Sequence, residues 1–327
     1  MLSRRQFVSG SLAAGAASSL PLAATAQANF PTKPIRVVVP FGAGGVADLT
    51  ARTVAQKMAE GLGQSIVIDN KPGAGGIVAG DTVAKAEPDG YTLLFMSNGT
   101  AVSEGLFKSL PFDSRKDFAP ISVLGFFDIA IVVSESSRFK TLAELTAFAK
   151  ANPGKLNIGT VAIGSTQNLS AELFKTSTGI DAQIVPFNGT PAVVTALRGG
   201  TIDAAVEILA PLISQINGKA LRALAVMGDA RPAALPDVPT VKEAAKLPAF
   251  SVASWNALAA PAKTPREIVQ RLNREVLAAI KSPEVKKRLA DLGVDARSST
   301  PEQLATLLDA EIKRWSEVIV RAKVPRQ

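Results

Sequence analysis

The sequence predicts an α/β protein of two lobes with a ligand cleft between them. Three observations point there. Short β-branched apolar runs alternate with segments of helical period along the chain after residue 28. Four of the loops that follow strands and open helices are rich in glycine, hydroxyl or amide groups: 40–48, 97–101, 161–168 and 186–190. The first two precede, and the last two follow, a break at Asp128 in the apolar stretch 121–133, which reads as a crossing between lobes. Ligands of open α/β sheets sit at the carboxyl ends of strands, so each lobe offers loops to one cleft.

Taken in order, 35–39 (Ile-Arg-Val-Val-Val) is a buried strand by its β-branched residues. Pro40-Phe-Gly-Ala-Gly-Gly-Val-Ala-Asp48 follows as a glycine loop, and Leu49, Val54, Met58 and Leu62 mark one face of the next helix. Strand, glycine loop and helix N-terminus together leave N–H groups and a positive dipole end for an anion. A second strand, 66–69, leads to Asn70-Lys-Pro-Gly-Ala-Gly-Gly76, read as a packing turn before a helix near 78–86. Glu87-Pro-Asp-Gly90 is a turn. Strand 92–96 runs into Ser97-Asn-Gly-Thr100 and a short helix.

Past Asp128, Thr141-Leu-Ala-Glu144 is a capping box, and its helix stops at Asn152-Pro-Gly154. Strands 156–160 and 182–186 carry Val161-Ala-Ile-Gly-Ser-Thr-Gln167 and Phe187-Asn-Gly-Thr-Pro191. Further strands are 204–208, 221–227 and 255–260. Thr240-Val-Lys-Glu243 is another capping box. Thr264-Pro-Arg-Glu267 opens a helix with proline at its first position, burying Ile268, Leu272, Val276 and Ile280. Ser282-Pro283 restarts a helix, and Thr300-Pro-Glu-Gln303 caps the last one.

Composition narrows the chemistry. The 327 residues are 47% hydrophobic and 20% charged, enough for two cores. There is no cysteine and no histidine, which removes thiol nucleophiles, Ser-His-Asp catalysis and histidine metal sites. The net charge is +8, two units of it from Arg4 and Arg5, and the basic residues are dispersed without interleaved aromatics. Nucleic acid is therefore not an expected partner. No metal or cofactor is expected, and a monomer is.

Residues 1–28 read as a leader. Ser3-Arg4-Arg5-Gln6-Phe7-Val8 fits the twin-arginine pattern, an Ala/Gly/Ser/Leu segment follows, and Ala26 or Ala28 offers a small-residue cleavage site. No later stretch approaches 18 apolar residues. The expectation is export to a bacterial periplasm, by the twin-arginine or the general secretory route.

The rival to a binding protein is an exported NAD(P)-binding oxidoreductase. Gly42-x-Gly44-x-x-Ala47 fits a loose dinucleotide fingerprint, with Asp69 near the place of a ribose-binding acid. Against it, Pro40 and Phe41 intervene, and histidine is unavailable for acid/base work. A scaffold protein with a filled cleft is a third class. Asp48 suits either a ligand contact or the helix dipole. Glu207, ending an apolar strand, suits a ligand amine or hydroxyl, a cluster of loop N–H groups, or a structural bond. Trp255 fits the core better than a ligand platform.

With these loops in view, the chain resembles the Bug family, the periplasmic solute receptors of tripartite tricarboxylate transporters. The motifs that carry the resemblance are Pro31-Thr-Lys-Pro-Ile35 with Val39-Pro-Phe-Gly-Ala-Gly-Gly-Val-Ala-Asp48, Asn70-Lys-Pro-Gly-Ala-Gly-Gly76, Pro88-Asp-Gly-Tyr-Thr-Leu93, Lys116-Asp-Phe-Ala-Pro120, Asn152-Pro-Gly-Lys-Leu156, Leu221-Arg-Ala-Leu-Ala-Val226, Leu235-Pro-Asp-Val-Pro-Thr240, and Ser254-Trp255 with Ala260-Pro261. The resemblance implies a two-lobed type II periplasmic binding protein, each lobe a mostly parallel sheet flanked by helices. Its lobes are expected at 29–126 with 250–327, and at 127–249. It implies a non-catalytic receptor that holds a small organic acid by loop amides, hydroxyls and bridging waters, and delivers it to permease subunits.

The candidate ligand-binding residues are Phe41, Ala43, Gly44, Gly45 and Val46; Ser97, Asn98 and Thr100; Gly164, Ser165, Thr166 and Gln167; Phe187, Asn188, Gly189 and Thr190; and Glu207. The chain departs from the family pattern at Phe187-Asn188, where Tyr-Lys is usual, at Glu207, often Asp, at Gly42, often Pro, and at Ala101, near which a histidine is common.

Overall fold

A computed structural model describes residues 30–73 and 76–327. The expected leader lies outside the described residues. The elements of the first part are β1 (Ile35–Val39), α1 (Val46–Leu62), β2 (Ile66–Asn70), α2 (Ile77–Ala84), β3 (Thr92–Ser97), α3 (Asn98–Leu106) and β4 (Phe118–Ser134). Then come α4 (Leu142–Ala151), β5 (Leu156–Val161), α5 (Thr166–Thr178), β6 (Ala182–Phe187), α6 (Thr190–Arg198), β7 (Ala204–Ile208), α7 (Ile213–Asn217), β8 (Leu221–Val226) and α8 (Val241–Ala244). The chain ends with β9 (Ala253–Pro261), α9 (Arg266–Lys281), α10 (Pro283–Asp291), β10 (Val294–Ala296) and α11 (Pro301–Arg321).

Two sheets share one strand. In the first, β2, β1 and β3 run parallel, β9 lies antiparallel between β3 and β4, and β10 pairs antiparallel with β4. In the second, β6, β5 and β7 run parallel, and β4 pairs antiparallel with both β7 and β8. The handover is abrupt: Asp128 pairs with Ala253 of β9, and the next residue, Ile129, pairs with Ile208 of β7. The return path lies beside it, where Met227 N–H donates to Ile129 O and Val252 N–H to Met227 O.

These directions place the cleft. β1 and β3 run with β4 toward the second lobe, while β5, β6 and β7 run against β4, back toward the first. The carboxyl ends of both parallel sets therefore face each other across the handover.

Side-chain alternation explains the near-continuous apolar strands. Ile35, Val37 and Val39 pack with Leu93 and Phe95 on one face, under α1, α9 and α10. Val38, Leu94 and Met96 pack on the other, under α2, α3 and α11. A strand buried on both faces needs apolar residues at every position. On that second face α11 also reaches α5, and the core runs without a break into the second lobe.

Helix α9 buries Ile268, Leu272, Val276 and Ile280 as its period predicts. It begins one residue later than expected, with Pro265 as its N-cap and the buried Thr264 hydroxyl left without a partner. In α1, Val54, Met58 and Leu62 are buried, but Leu49 is 37% exposed and its neighbour Asp48 is buried instead. Asp48, not Leu49, shares a face with Ala51 and Ala55, three and seven residues on.

Gly125, within β4, permits the close approach of β10: a Cβ there would lie 2.5 Å from Val294 Cγ1 and 2.9 Å from the backbone O of Asp295. The second contact is backbone, so a side-chain rotation does not relieve it. Gly125→Ala is expected to destabilise the protein by about 1–3 kcal/mol, the range for overpacking, measured as a lowered midpoint in urea unfolding.

Candidate ligand-binding cleft

The first jaw is the loop between β1 and α1. Its shape is set by a polar cluster beneath it. Asp48 Oδ2 accepts from Gly44 N–H at 2.9 Å and from Arg52 Nε at 2.9 Å, while Oδ1 accepts from Asn70 Nδ2 at 2.9 Å. Asn70 Nδ2 also donates to Phe41 O at 2.9 Å, and Arg52 donates to Asn70 Oδ1 at 3.1 Å. Burial alone would raise the Asp48 carboxyl, but the bonds from Arg52, Gly44 N–H and Asn70 and the Arg52 charge outweigh it and hold the group below its ordinary value. Asp48 thus supports the loop from inside. Gly44 takes a φ of +83°, a left-handed conformation that favours glycine.

The four helix N-termini at the cleft differ. Ser97 caps α3 through a bond from Gly99 N–H, and Ser165 caps α5 through one from Asn168 N–H. Gly45 and Gly189, at the heads of α1 and α6, have no side chain to do this. At these two helices the first-turn donors have no cap side chain, and the dipole end favours an anion.

Where the lobes meet, Asn98 Nδ2 donates to Thr166 Oγ1 at 2.9 Å. Asn98 is fully buried, and its Oδ1 accepts from Trp315 Nε1 at 2.9 Å. The same indole N–H reaches Glu311 Oε2 at 2.8 Å, and burial pushes the Glu311 carboxyl up. A buried amide left unpaired costs about 1–3 kcal/mol, so this bridge from α11 through α3 to α5 fixes Asn98 in place.

In the second lobe the loops converge on Glu207. Its Oε2 accepts from Thr190 Oγ1 at 3.1 Å, Gln167 Nε2 at 3.3 Å and Ile208 N–H at 3.3 Å. Its Oε1 is buried with no partner. Burial raises this carboxyl above its ordinary value, against the pull of those three bonds. Nearby, Asn168 ties its own loop by accepting from Gly164 N–H and donating to Thr160 Oγ1.

The candidate residues fall into three groups. Phe41, Ala43, Gly44, Gly45 and Asn188 are exposed, and Val46, Thr100, Gly164, Ser165, Thr166, Gly189 and Thr190 are half-buried. Ser97, Asn98, Gln167 and Glu207 are buried with their side chains bonded within the protein. Phe187 turns toward its own lobe, packing beside Gly159 and the core under α6. Of the six large apolar residues exposed among the described residues, Phe41, Leu49 and Ile163 lie in or beside these loops.

Sequence reasoning missed Arg52, Asn70, Glu311 and Trp315 as parts of this architecture. Arg52 had a signal, its i,i+4 spacing from Asp48. Trp315 had none, being 217 positions from Asn98. Trp255 is buried on β9, as a core residue should be, and borders a cavity of about 790 Å³. That cavity lies between Asp128, β10 and α11 on one side and 209–213 and 228–234 on the other, and includes none of the candidate residues.

The geometry gives the dinucleotide reading no support. Asp69 lies in the sheet opposite Val38, with Arg36 at 3.7 Å, and Gly44 N–H is already bonded to Asp48. Comparison with known proteins points the same way. A family model described as "Tripartite tricarboxylate transporter family receptor" matches residues 50–324. The UPF0065 protein in the tcbD-tcbE intergenic region of Pseudomonas sp. (strain P51) is 38% identical over 295 residues, covering 90% of this chain and 88% of that protein. BugT of Bordetella pertussis is 34% identical, covering 89% of each. Among solved structures, MatC from Rhodopseudomonas palustris with bound malate superposes with a TM-score of 0.75 at 35% identity, over 89% of this chain and 100% of that one. An R. palustris protein solved with adipate gives 0.79 at 34% identity, over 90% and 99%. The chain, two-lobed and with paired loops across its cleft, belongs to the receptor family of the tripartite tricarboxylate transporters.

Proposed function

We propose that this protein is an exported, monomeric receptor that captures a small organic carboxylate in the interlobe cleft and delivers it to the permease of a tripartite tricarboxylate transporter. The observation that carries this reading is the meeting of the two lobes at Asn98 and Thr166, with the glycine-headed helices α1 and α6 opening at the same carboxyl edges. The family role and the malate and adipate held by solved relatives support the ligand class. Among the described residues no helix is long and apolar enough to cross a membrane. The twin-arginine leader at 1–28 accounts for export, and the lobes are 29–126 with 250–327, and 127–249.

In this reading one ligand carboxylate lies over Ala43, Gly44 and Gly45, held by backbone donors and the α1 dipole. Thr166, Asn188 and Thr190 supply polar contacts from the other side. Phe41, Leu49 and Ile163 give the cleft apolar walls that closure buries. The ligand drives closure because it touches both jaws only in the closed state.

Thermal unfolding with organic acids, amino acids and NAD(P) tests the assignment. A carboxylate at about 100 times its Kd is expected to add about 2.7 kcal/mol of stability. Stabilisation by NAD(P) alone, with turnover, would overturn it.

The loop support yields two more expectations. Asp48→Ala, which releases Gly44 N–H, Arg52 and Asn70 together, is expected to weaken carboxylate binding by about tenfold, or roughly 1.4 kcal/mol, in titration calorimetry. Because Asp48 is lowered on folding, its contribution to stability is complete above the ordinary value of 3.8 and is lost as pH falls through the lower folded value. Acid unfolding curves of wild type and Asp48→Asn should therefore converge only at that acid end.

A further inference from the structure

The cavity of about 790 Å³ at the crossing between the two sheets includes none of the loops assigned to the carboxylate. Residues of β10 and α11 wall it on one side, and 209–213 and 228–234 on the other. Its size suits a small organic molecule, and sites for such molecules combine apolar walls with a few convergent polar groups.

Strand register fixes what meets there. Phe126 and Asp128 are two apart on β4 and share one face of the sheet. Phe126 pairs with Trp255 of β9 on one edge and with Asp295 of β10 on the other, and Asp128 pairs with Ala253. All five residues border the cavity. Asp128 is therefore set beside two aromatic side chains at the last pair of the first sheet.

Most charges on the wall are already paired. Arg297 Nε donates to Asp295 at 2.6 Å, Arg314 lies 3.0 Å from Glu311, and Arg231 lies 3.1 Å from Glu243. Asp229 has Lys242 at 3.8 Å, and Lys286 is exposed to solvent. Asp128 differs from all of these. It is half-buried, and no described residue gives its carboxylate a hydrogen bond or an ion pair. Burial and the Asp295 charge raise its pKa above the ordinary value, and only the Arg297 charge pulls the other way.

A carboxylate withdrawn from water without a partner is costly. The partner that suits it best is a positively charged N–H donor. The aromatic neighbours favour a cation as well, and the Arg297 guanidinium already lies 5.4 Å from the Phe126 ring centroid. A metal ion fits less well, because the described residues bring together no group of three or more acids, histidines or cysteines that could hold one. An anion would meet Asp128 while the guanidinium groups around it are engaged elsewhere. Gly228 leaves room beside the carboxylate: a Cβ there would lie 2.8 Å from Asp128 Oδ1.

We propose that this cavity is a second binding site, which takes a small organic ammonium on an apolar body, its N–H groups donating to Asp128 and its carbon chain lying against Phe126 and Trp255. The site is separate from the carboxylate cleft and does not depend on what that cleft holds. No covalent bond changes on binding.

The test is titration calorimetry of the full mature protein with hexylamine, compared with hexan-1-ol, which has the same chain and no charge. The amine is expected to bind saturably and about tenfold or more tighter than the alcohol. The chain has two tryptophans, so the indole N–H region of an NMR spectrum holds two signals, and the amine is expected to shift that of Trp255. Asp128→Asn, isosteric and uncharged, is expected to weaken the amine about tenfold or more, and Gly228→Ala about threefold or more. Asp229→Asn, which removes an exposed acid on the same wall, is expected to stay within about twofold of wild type.

Hexylamine that binds no tighter than hexan-1-ol, that leaves the Trp255 signal in place, or that binds Asp128→Asn as well as wild type overturns the assignment. The comparison of amine with alcohol and the Trp255 signal need no variant, so the proposal is decided even where Asp128→Asn folds poorly.

Discussion

The structure depends on β4 serving two sheets at once. Its first part is clasped by β9 and its last part by β7 and β8, with no residue between the two sets of partners. That single strand sets the direction of everything around it. Because β1 and β3 run with it and β5 to β7 run against it, glycine loops from one lobe and hydroxyl-rich loops from the other are brought to one gap. The chain crosses between the lobes at Asp128–Ile129 and returns beside that point at 227–252.

The cleft is built to offer dipoles rather than charges. The one arginine beside the first loop, Arg52, is occupied by Asp48 and Asn70. The acid in the second lobe, Glu207, has only neutral neighbours. Charge beside these loops is either paired or buried without a counter-ion, and the first turns of α1 and α6, headed by glycine, have no capping side chain. The Asp48 cluster holds the loop ahead of α1 in one arrangement through bonds from within the protein. The buried bridge Glu311–Trp315–Asn98–Thr166 extends that order from the C-terminal helix into the gap.

Much of this was legible in the chain. The strand runs, the capping boxes at Thr141, Thr240 and Thr300, and the buried face of α9 are written in local spacing, because strand and helix periods are local properties. The break at Asp128 marks the handover because a charged residue in an apolar strand needs a wet boundary. Leu49 and Asp48 read in the wrong order because hydrophobicity alone does not reveal that a buried acid will find an arginine, an amide and a glycine N–H around it.

By itself, then, the sequence determined the α/β class, the four loops, and the exclusion of thiol, Ser-His-Asp and histidine–metal chemistry by composition. Only the tertiary structure decided which side chains are committed within the protein. Asn98 is a buried bridge and Phe187 a packing residue, though both sit in loops that read as ligand contacts. Glu207 has one oxygen fully engaged and one without a partner. The physical reason is that a loop's composition shows what it can offer, whereas the partners that use up or leave open each polar atom come from segments tens to hundreds of residues away.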